Sequence, residues 1–252
     1  MNYILIQDIL NNYIKYIYLM MEIISFGHRC SSAGFIENVG FKNVSYPFDW
    51  CVSKLEIIKD CIETNFVHFS NKNNYKIYKT ETFNMNDEIK NTNCFENTYI
   101  NTYYDKYNIN TSTYNYNLAF NHYNPIKNED YYNRCIQRFQ HFLNKDSKKC
   151  YIYFHPIIGI KTYENDKKNI IKTIDDFNKY IQTVTKIFGI NFILIYNETD
   201  IKSNHIIKDE NYDVYILYCN KDFLDGGKTF TDLGNNKLEK AECKNILNKY
   251  II

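Results

Sequence analysis

Charge imbalance is the first thing this sequence lacks. Lys plus Arg number 30 against 29 Asp plus Glu, a formal net charge of +1 and a pI of about 7.5. No global field therefore draws the chain to nucleic acid or an anionic membrane, and no nucleic-acid partner is expected. Close cysteine pairs are missing too. The cysteines at 30, 51, 61, 94, 135, 150, 219 and 243 form no Cys-x-x-Cys motif, which argues against structural zinc; no metal and no other cofactor is expected. Cys61, Cys135, Cys150 and Cys219 fall in apolar patterns, where an unoxidised thiol behaves as a small hydrophobe, so a reducing, cytoplasmic setting is expected. No stretch approaches the ~18 uninterrupted apolar residues of a membrane span. Residues 1–20 are apolar and aromatic but are broken by Asp8, Asn11, Asn12 and Lys15, and they lack a basic start and a cleavage site. They read as an N-terminal extension, either a docking helix or the product of a misassigned start codon. Ala, Pro and Arg are rare against heavy use of Asn, Lys, Ile and Tyr, a bias that suits an AT-rich genome such as a giant virus's.

The scarce residue types are not spread evenly. The whole chain holds 8 Gly, 3 Pro and 1 Trp, yet Gly27, Gly34, Gly40, Pro47 and Trp50 all lie between Glu22 and Ser53. Such residues set turns and anchor packing. The apolar run Ile23 to Phe26 stops at Gly27, Cys30 follows, and Ser31 and Ser32 open a helix running toward Val39. Strand, tight turn, cysteine and helix come in that order. A thiol at a helix N-terminus feels the positive end of the macrodipole, which lowers its pKa and enriches the nucleophilic thiolate. Cys30 is therefore the leading candidate nucleophile; its plain alternative is a small buried residue packing the turn. Phe41 to Tyr46 predicts a second extended segment ended by Pro47. Ser53-Lys54-Leu55-Glu56 reads as a capping box, opening a helix with Leu55, Ile58 and Ile62 on its apolar face.

Residues 70–115 are polar, Asn- and Tyr-rich and poorly periodic, and read as a loop-rich insertion with a hairpin somewhere in Thr98 to Tyr116. Beyond it the chain alternates. Leu118 to Tyr123 predicts a short strand carrying His122 at its end. Glu129 to Leu143 predicts a helix with Tyr132, Ile136, Phe139 and Leu143 facing the core. Cys150 to His155 follows as a strand, Asn169 to Phe188 as a helix stopped by Gly189, Asn191 to Tyr196 and Asp213 to Cys219 as strands, and Lys237 to Tyr250 as a closing helix. Short apolar strands alternating with helices imply an α/β fold, a mostly parallel sheet with helices on both faces. One domain is expected over 22–252. In open sheets of this kind ligands gather beyond the carboxyl ends of the strands, where Cys30, His122, His155 and Asn197 all fall.

Phe26-Gly27, Cys30, Gly40, Pro47-Phe48-Asp49-Trp50 and Ser53 together resemble a family of bacteria and giant viruses named for an inferred papain-like cysteine peptidase activity, a domain of largely unknown function. The likeness is strongest over residues 22–70. A weaker echo covers Phe120 to Phe142, where Phe120-Asn121-His122 leads into the helix that bears Arg134 and Arg138. The family often places Asp directly after this His; here Tyr123 stands in that position. The resemblance implies a Cys nucleophile and a His base acting on a peptide or other acyl substrate, in the chain order Cys before His. A papain fold pairs a helical domain with an antiparallel barrel, so the α/β alternation argues against a literal papain structure.

Within that scheme His122 is the base, its plain alternative being a strand-end histidine satisfied by backbone groups. Asp49 either orients the imidazole, holds Arg29, or bonds backbone amides in its Pro-led turn. Asn124 is the other candidate orienter and, with the arginines, a candidate substrate contact. In a chain that otherwise uses lysine, Arg29, Arg134 and Arg138 suggest planar forks for a substrate carboxylate or phosphate, against ordinary pairing with Asp49, Glu56 or Asp60. The leading reading is a cysteine-dependent hydrolase. Two others stay open: a glycan- or nucleotide-sugar-related transferase whose arginines grip phosphate, and a non-catalytic interaction module in which the Cys30 turn and the Trp50 motif are structural. The oligomeric state is left open.

Overall fold

The computed structural model describes residues 21–27, 30–78, 98–107, 118–120, 122–158, 163–196, 205–208, 214–219 and 237–251. The N-terminal extension, Arg29 and Asn197 lie outside these residues. Along the chain run β1 (Met21–Ser25), α1 (Ser31–Asn38), β2 (Cys51–Val52), α2 (Leu55–Glu63), α3 (Val67–Ser70), β3 (Tyr75–Tyr78), β4 (Thr98–Asn101) and β5 (Ala119–Phe120). There follow α4 (Glu129–Asn144), β6 (Lys148–Ile158), α5 (Tyr163–Thr185), β7 (Phe188–Tyr196), β8 (His205–Lys208), β9 (Val214–Cys219) and α6 (Lys237–Ile251).

The strands form two sheets, ordered β1-β6-β7-β9-β8 and β2-β5-β4-β3. In the first, β1, β6, β7 and β9 are parallel and β8 joins antiparallel at the edge. Parallel strands need covering on both faces, and successive residues of a strand point to opposite faces. Ile23 of β1, with Cys150, Ile152 and Phe154 of β6, packs against Phe35 and Ile36 of α1 and Cys243, Ile246 and Leu247 of α6. Ile24 and Phe26, with Tyr151 and Tyr153, pack instead against α2, α4 and α5 through Ile58, Phe139 and Phe177. Phe26 is fully buried and touches the rings of Phe48, Phe139, Tyr151 and Phe177. Burying a side chain of this size contributes about 1.5–3 kcal/mol. The α/β fold with helices on both faces of a mostly parallel sheet is thus the observed one, and a second, antiparallel sheet accompanies it.

That second sheet shows what the polar insertion does. β3 and β4 pair with each other, and β4 pairs with β5, so part of 70–115 completes a sheet under α3 and α4. Three local expectations differ. Phe41 to Tyr46 is irregular, because the Asp49 carboxylate accepts from the Tyr46 amide at 2.8 Å and folds the segment into a turn. Ser53 is not the cap of α2: Lys54 holds that position without a side-chain cap, and the Ser53 hydroxyl donates elsewhere. Gly189 does not stop a helix; α5 ends at Thr185 and Gly189 lies inside β7. A Cβ there would run into the Tyr151 ring and Asn178, so close packing on α5 requires glycine at this position.

Candidate functional site

The site begins where β1 ends. Ser25 is in register with Ile152, and the Phe26 amide still donates to the Ile152 carbonyl at 2.9 Å. The chain then turns. The Gly27 amide donates to the Ser25 hydroxyl at 3.2 Å, and the Ser53 hydroxyl donates to the Gly27 carbonyl at 2.8 Å, both buried. Cys30 immediately precedes α1, and its carbonyl accepts the helical bond from Gly34 at 2.9 Å. Its thiol therefore stands at the N-terminus of the helix, where backbone amides point outward without helical acceptors. Beyond the end of β1, the exposed edge of β6 is taken over by that helix: the Phe154 amide donates to the Ser32 hydroxyl at 3.3 Å. At its far end α1 closes on Gly40, with φ of 84°. The Phe41 amide reaches the Ile36 carbonyl and the Gly40 amide that of Glu37, the Schellman arrangement that favours glycine.

Cys30 is half-buried, whereas Cys51, Cys61, Cys135, Cys150 and Cys243 are buried. Burial pushes the thiols of Cys51, Cys61, Cys135 and Cys150 up, away from the thiolate. At Cys51, Asp49 and, more weakly, Cys61 and Cys30 add to the effect of burial, so Cys30 lies within electrostatic range of Cys51.

Cys51 links that turn to the wall holding His122. It pairs with Phe120 across β2 and β5, which brings Trp50 and His122 together edge to face, ring centroids 5.7 Å apart. His122 is largely exposed, yet loss of water around its ring lowers its pKa, favouring the neutral imidazole at physiological pH. Lys42 sits 4.5 Å above the centre of the Trp50 ring and pairs with Asp49 at 2.7 Å. Asp49 is buried, and its Oδ2 atom accepts from both Lys42 and the Tyr46 amide. Burial raises its pKa, opposed by Lys42. Asp49 thus meets His122 through Lys42 and Trp50.

The remaining candidates stand apart. The Asn124 side-chain oxygen accepts from the amides of Ile126 at 2.9 Å and Lys127 at 3.0 Å, ordering the approach to α4. Arg138 donates to the Ser45 carbonyl at 3.3 Å, and Arg134 is exposed on α4. A cavity of about 20 Å³, lined in part by Phe69, Tyr75, Pro125 and Tyr132, holds none of the candidates and has room for one water molecule.

One imidazole was placed by the sequence at the carboxyl end of a strand without being nominated for the site. His155 of β6 is buried, and its Nδ1 lies 2.9 Å from the Tyr153 hydroxyl. The signal is the Tyr-x-His spacing, which puts both side chains on one face of a strand.

Over residues 21–199 the chain matches the family described as "Putative papain-like cysteine peptidase (DUF1796)". The chain belongs to this family. No curated protein and no solved structure matches it. The matched region runs from β1 through β7 and takes in the Cys30 turn, the Trp50 wall, α4 and β6. The family's name supports a hydrolase acting on peptides, and it fits a half-buried thiol at a helix N-terminus with imidazoles on neighbouring elements. No described helix is long and apolar enough to cross a membrane.

Proposed function

We propose that this protein is a cysteine-dependent hydrolase of peptide or other acyl bonds, with Cys30 as nucleophile. The observation that carries this reading is the setting of Cys30: half-buried, first in line at the N-terminus of α1, and shortly after Gly27, whose amide and carbonyl are both bonded. The sulfur attacks the acyl carbon, forming a C–S bond as the carbonyl electrons move onto oxygen. Amides of the first turn of α1 stabilise that oxyanion. Collapse breaks the bond to the leaving group, which takes a proton from His122, an exposed imidazole that draws it from solvent; the water that then hydrolyses the thioester gives a proton back to His122 and releases the sulfur. Asp49 keeps the Trp50 wall in place through Lys42. Arg29, the residue before the nucleophile, supplies a cationic group for a carboxylate of the substrate, and Asn124 fixes the chain that follows His122.

Alkylation mapped by peptide mass spectrometry tests the reading. With limiting iodoacetamide at pH 7, Cys30 is expected to label at least tenfold faster than Cys51, Cys61, Cys135, Cys150 or Cys243. Slow labelling of Cys30, at the rate of an ordinary exposed thiol, would remove it.

A further inference from the structure

In the reaction proposed for this site His122 protonates the leaving group, and the thiol proton of Cys30 needs an acceptor of its own. His155 stands at the same end of the sheet, on the strand beside the one that launches the Cys30 turn. Two contacts tie that turn to β6, and a third ties it to the link before α2. Phe26 is bonded to Ile152, Ser32 accepts from Phe154, the residue before His155, and Ser53 draws the Gly27 carbonyl toward the face of α2. That is the face on which Tyr151 and Tyr153 lie, and strand alternation puts His155 there with them. Cys30 lies between Gly27 and Ser32, so its approach to β6 is limited on both sides.

We propose that His155, oriented by Tyr153, is the group that accepts the Cys30 thiol proton, so that two imidazoles divide the work: His155 ionises the nucleophile and His122 serves the leaving group. The assignment rests on the cysteine-hydrolase reading. The Tyr153 hydroxyl occupies Nδ1, and when Nδ1–H donates to the tyrosine oxygen, Nε2 carries the lone pair. The S–H bond breaks, its electron pair stays on sulfur, and the proton moves to Nε2. The result is the thiolate–imidazolium pair of an activated cysteine. Among the titratable groups beside His155, Tyr153 lies on its own strand, and Glu56 of α2 and Tyr151 of β6 act electrostatically on Tyr153.

The experiment is the pH profile of Cys30 alkylation by iodoacetamide in the full chain, for wild type, His155→Gln and Tyr153→Phe, with thermal melts to confirm folding. Wild type is expected to alkylate with an inflection below the ordinary thiol value of about 8.5. In His155→Gln the rate at pH 6.5 falls at least tenfold and the inflection moves up toward that value. Tyr153→Phe keeps the ring and the core volume, so it moves the inflection part of the way, and it decides the matter if His155→Gln does not fold. A wild-type profile in His155→Gln, or in Tyr153→Phe when that variant must stand alone, overturns the assignment while leaving Cys30 as nucleophile. Slow, unselective labelling of wild-type Cys30 instead overturns the hydrolase reading and this assignment together.

Discussion

At Asp49 a buried carboxylate depends on one lysine. The side chains of Lys42 and Asp49 are 10% and 2% exposed, and Lys42 is the main group opposing the burial that raises the Asp49 pKa. Removing the lysine leaves a buried charge without its partner, which typically costs about 3–5 kcal/mol. Lys42→Met is therefore expected to be strongly destabilising at pH 7. The sign of the pH dependence follows from the raised pKa. A carboxyl whose folded pKa lies above its unfolded value, about 3.9, favours the fold most when protonated, and that advantage is lost as pH rises through the folded pKa. Lys42→Met raises the folded pKa further, so its stability deficit against wild type should shrink as pH falls from 7 toward 4. Urea unfolding at both pH values checks it, and an unchanged deficit would refute the account. Asp49 was legible in the sequence as a residue of importance but not in its role. The Pro47-Phe48-Asp49-Trp50 motif does not reveal that Lys42, seven residues upstream of Asp49, folds back onto it.

At the scale of elements, α4 ends on a buried lysine rather than a glycine. Lys149, 3% exposed at the start of β6, donates to the carbonyls of Phe142 at 3.0 Å, Leu143 at 2.8 Å and Lys145 at 2.5 Å. These are carbonyls of the last turn and cap of α4, which lack helical donors and carry the negative end of the dipole. Lys149→Met keeps the apolar stem and removes the donor, leaving buried acceptors unmet at about 1–3 kcal/mol. A lower melting temperature with unchanged Cys30 labelling is the expected outcome; an unchanged melt would mean water replaces the ammonium. Periodicity located α4 well, because Tyr132, Ile136 and Phe139 recur on one buried face. It misplaced the boundary between α5 and β7, because Gly189 signals a helix stop equally well as a strand position pressed against another element.

Across the whole molecule the site depends on one hydrogen bond between elements 26 residues apart. The Ser53 hydroxyl, on the link from β2 of the antiparallel sheet to α2, donates to the Gly27 carbonyl at the end of β1 of the parallel sheet. Ser53→Ala strands that buried carbonyl and loosens the turn before Cys30. The expected result is about 1 kcal/mol of lost stability and slower Cys30 alkylation at pH 7. Stability loss with an unaltered labelling rate would show that the turn holds without it.

By itself the sequence determined the α/β class, the strand-turn-helix around Cys30 and the α4 register, because these follow from periodicities of two and 3.6 and from glycine at a helix end. It also pointed to the family, through rare residues at fixed spacing. Only the tertiary structure decided that Ser53 serves Gly27 rather than α2, that Lys42 answers Asp49, that His122 rests on Trp50, and that His155 bonds Tyr153 beside the strand leading to Cys30. Those pairings join groups by strand order and burial, and a hydroxyl, carboxylate or imidazole buried on folding takes whichever partner the packing brings within reach.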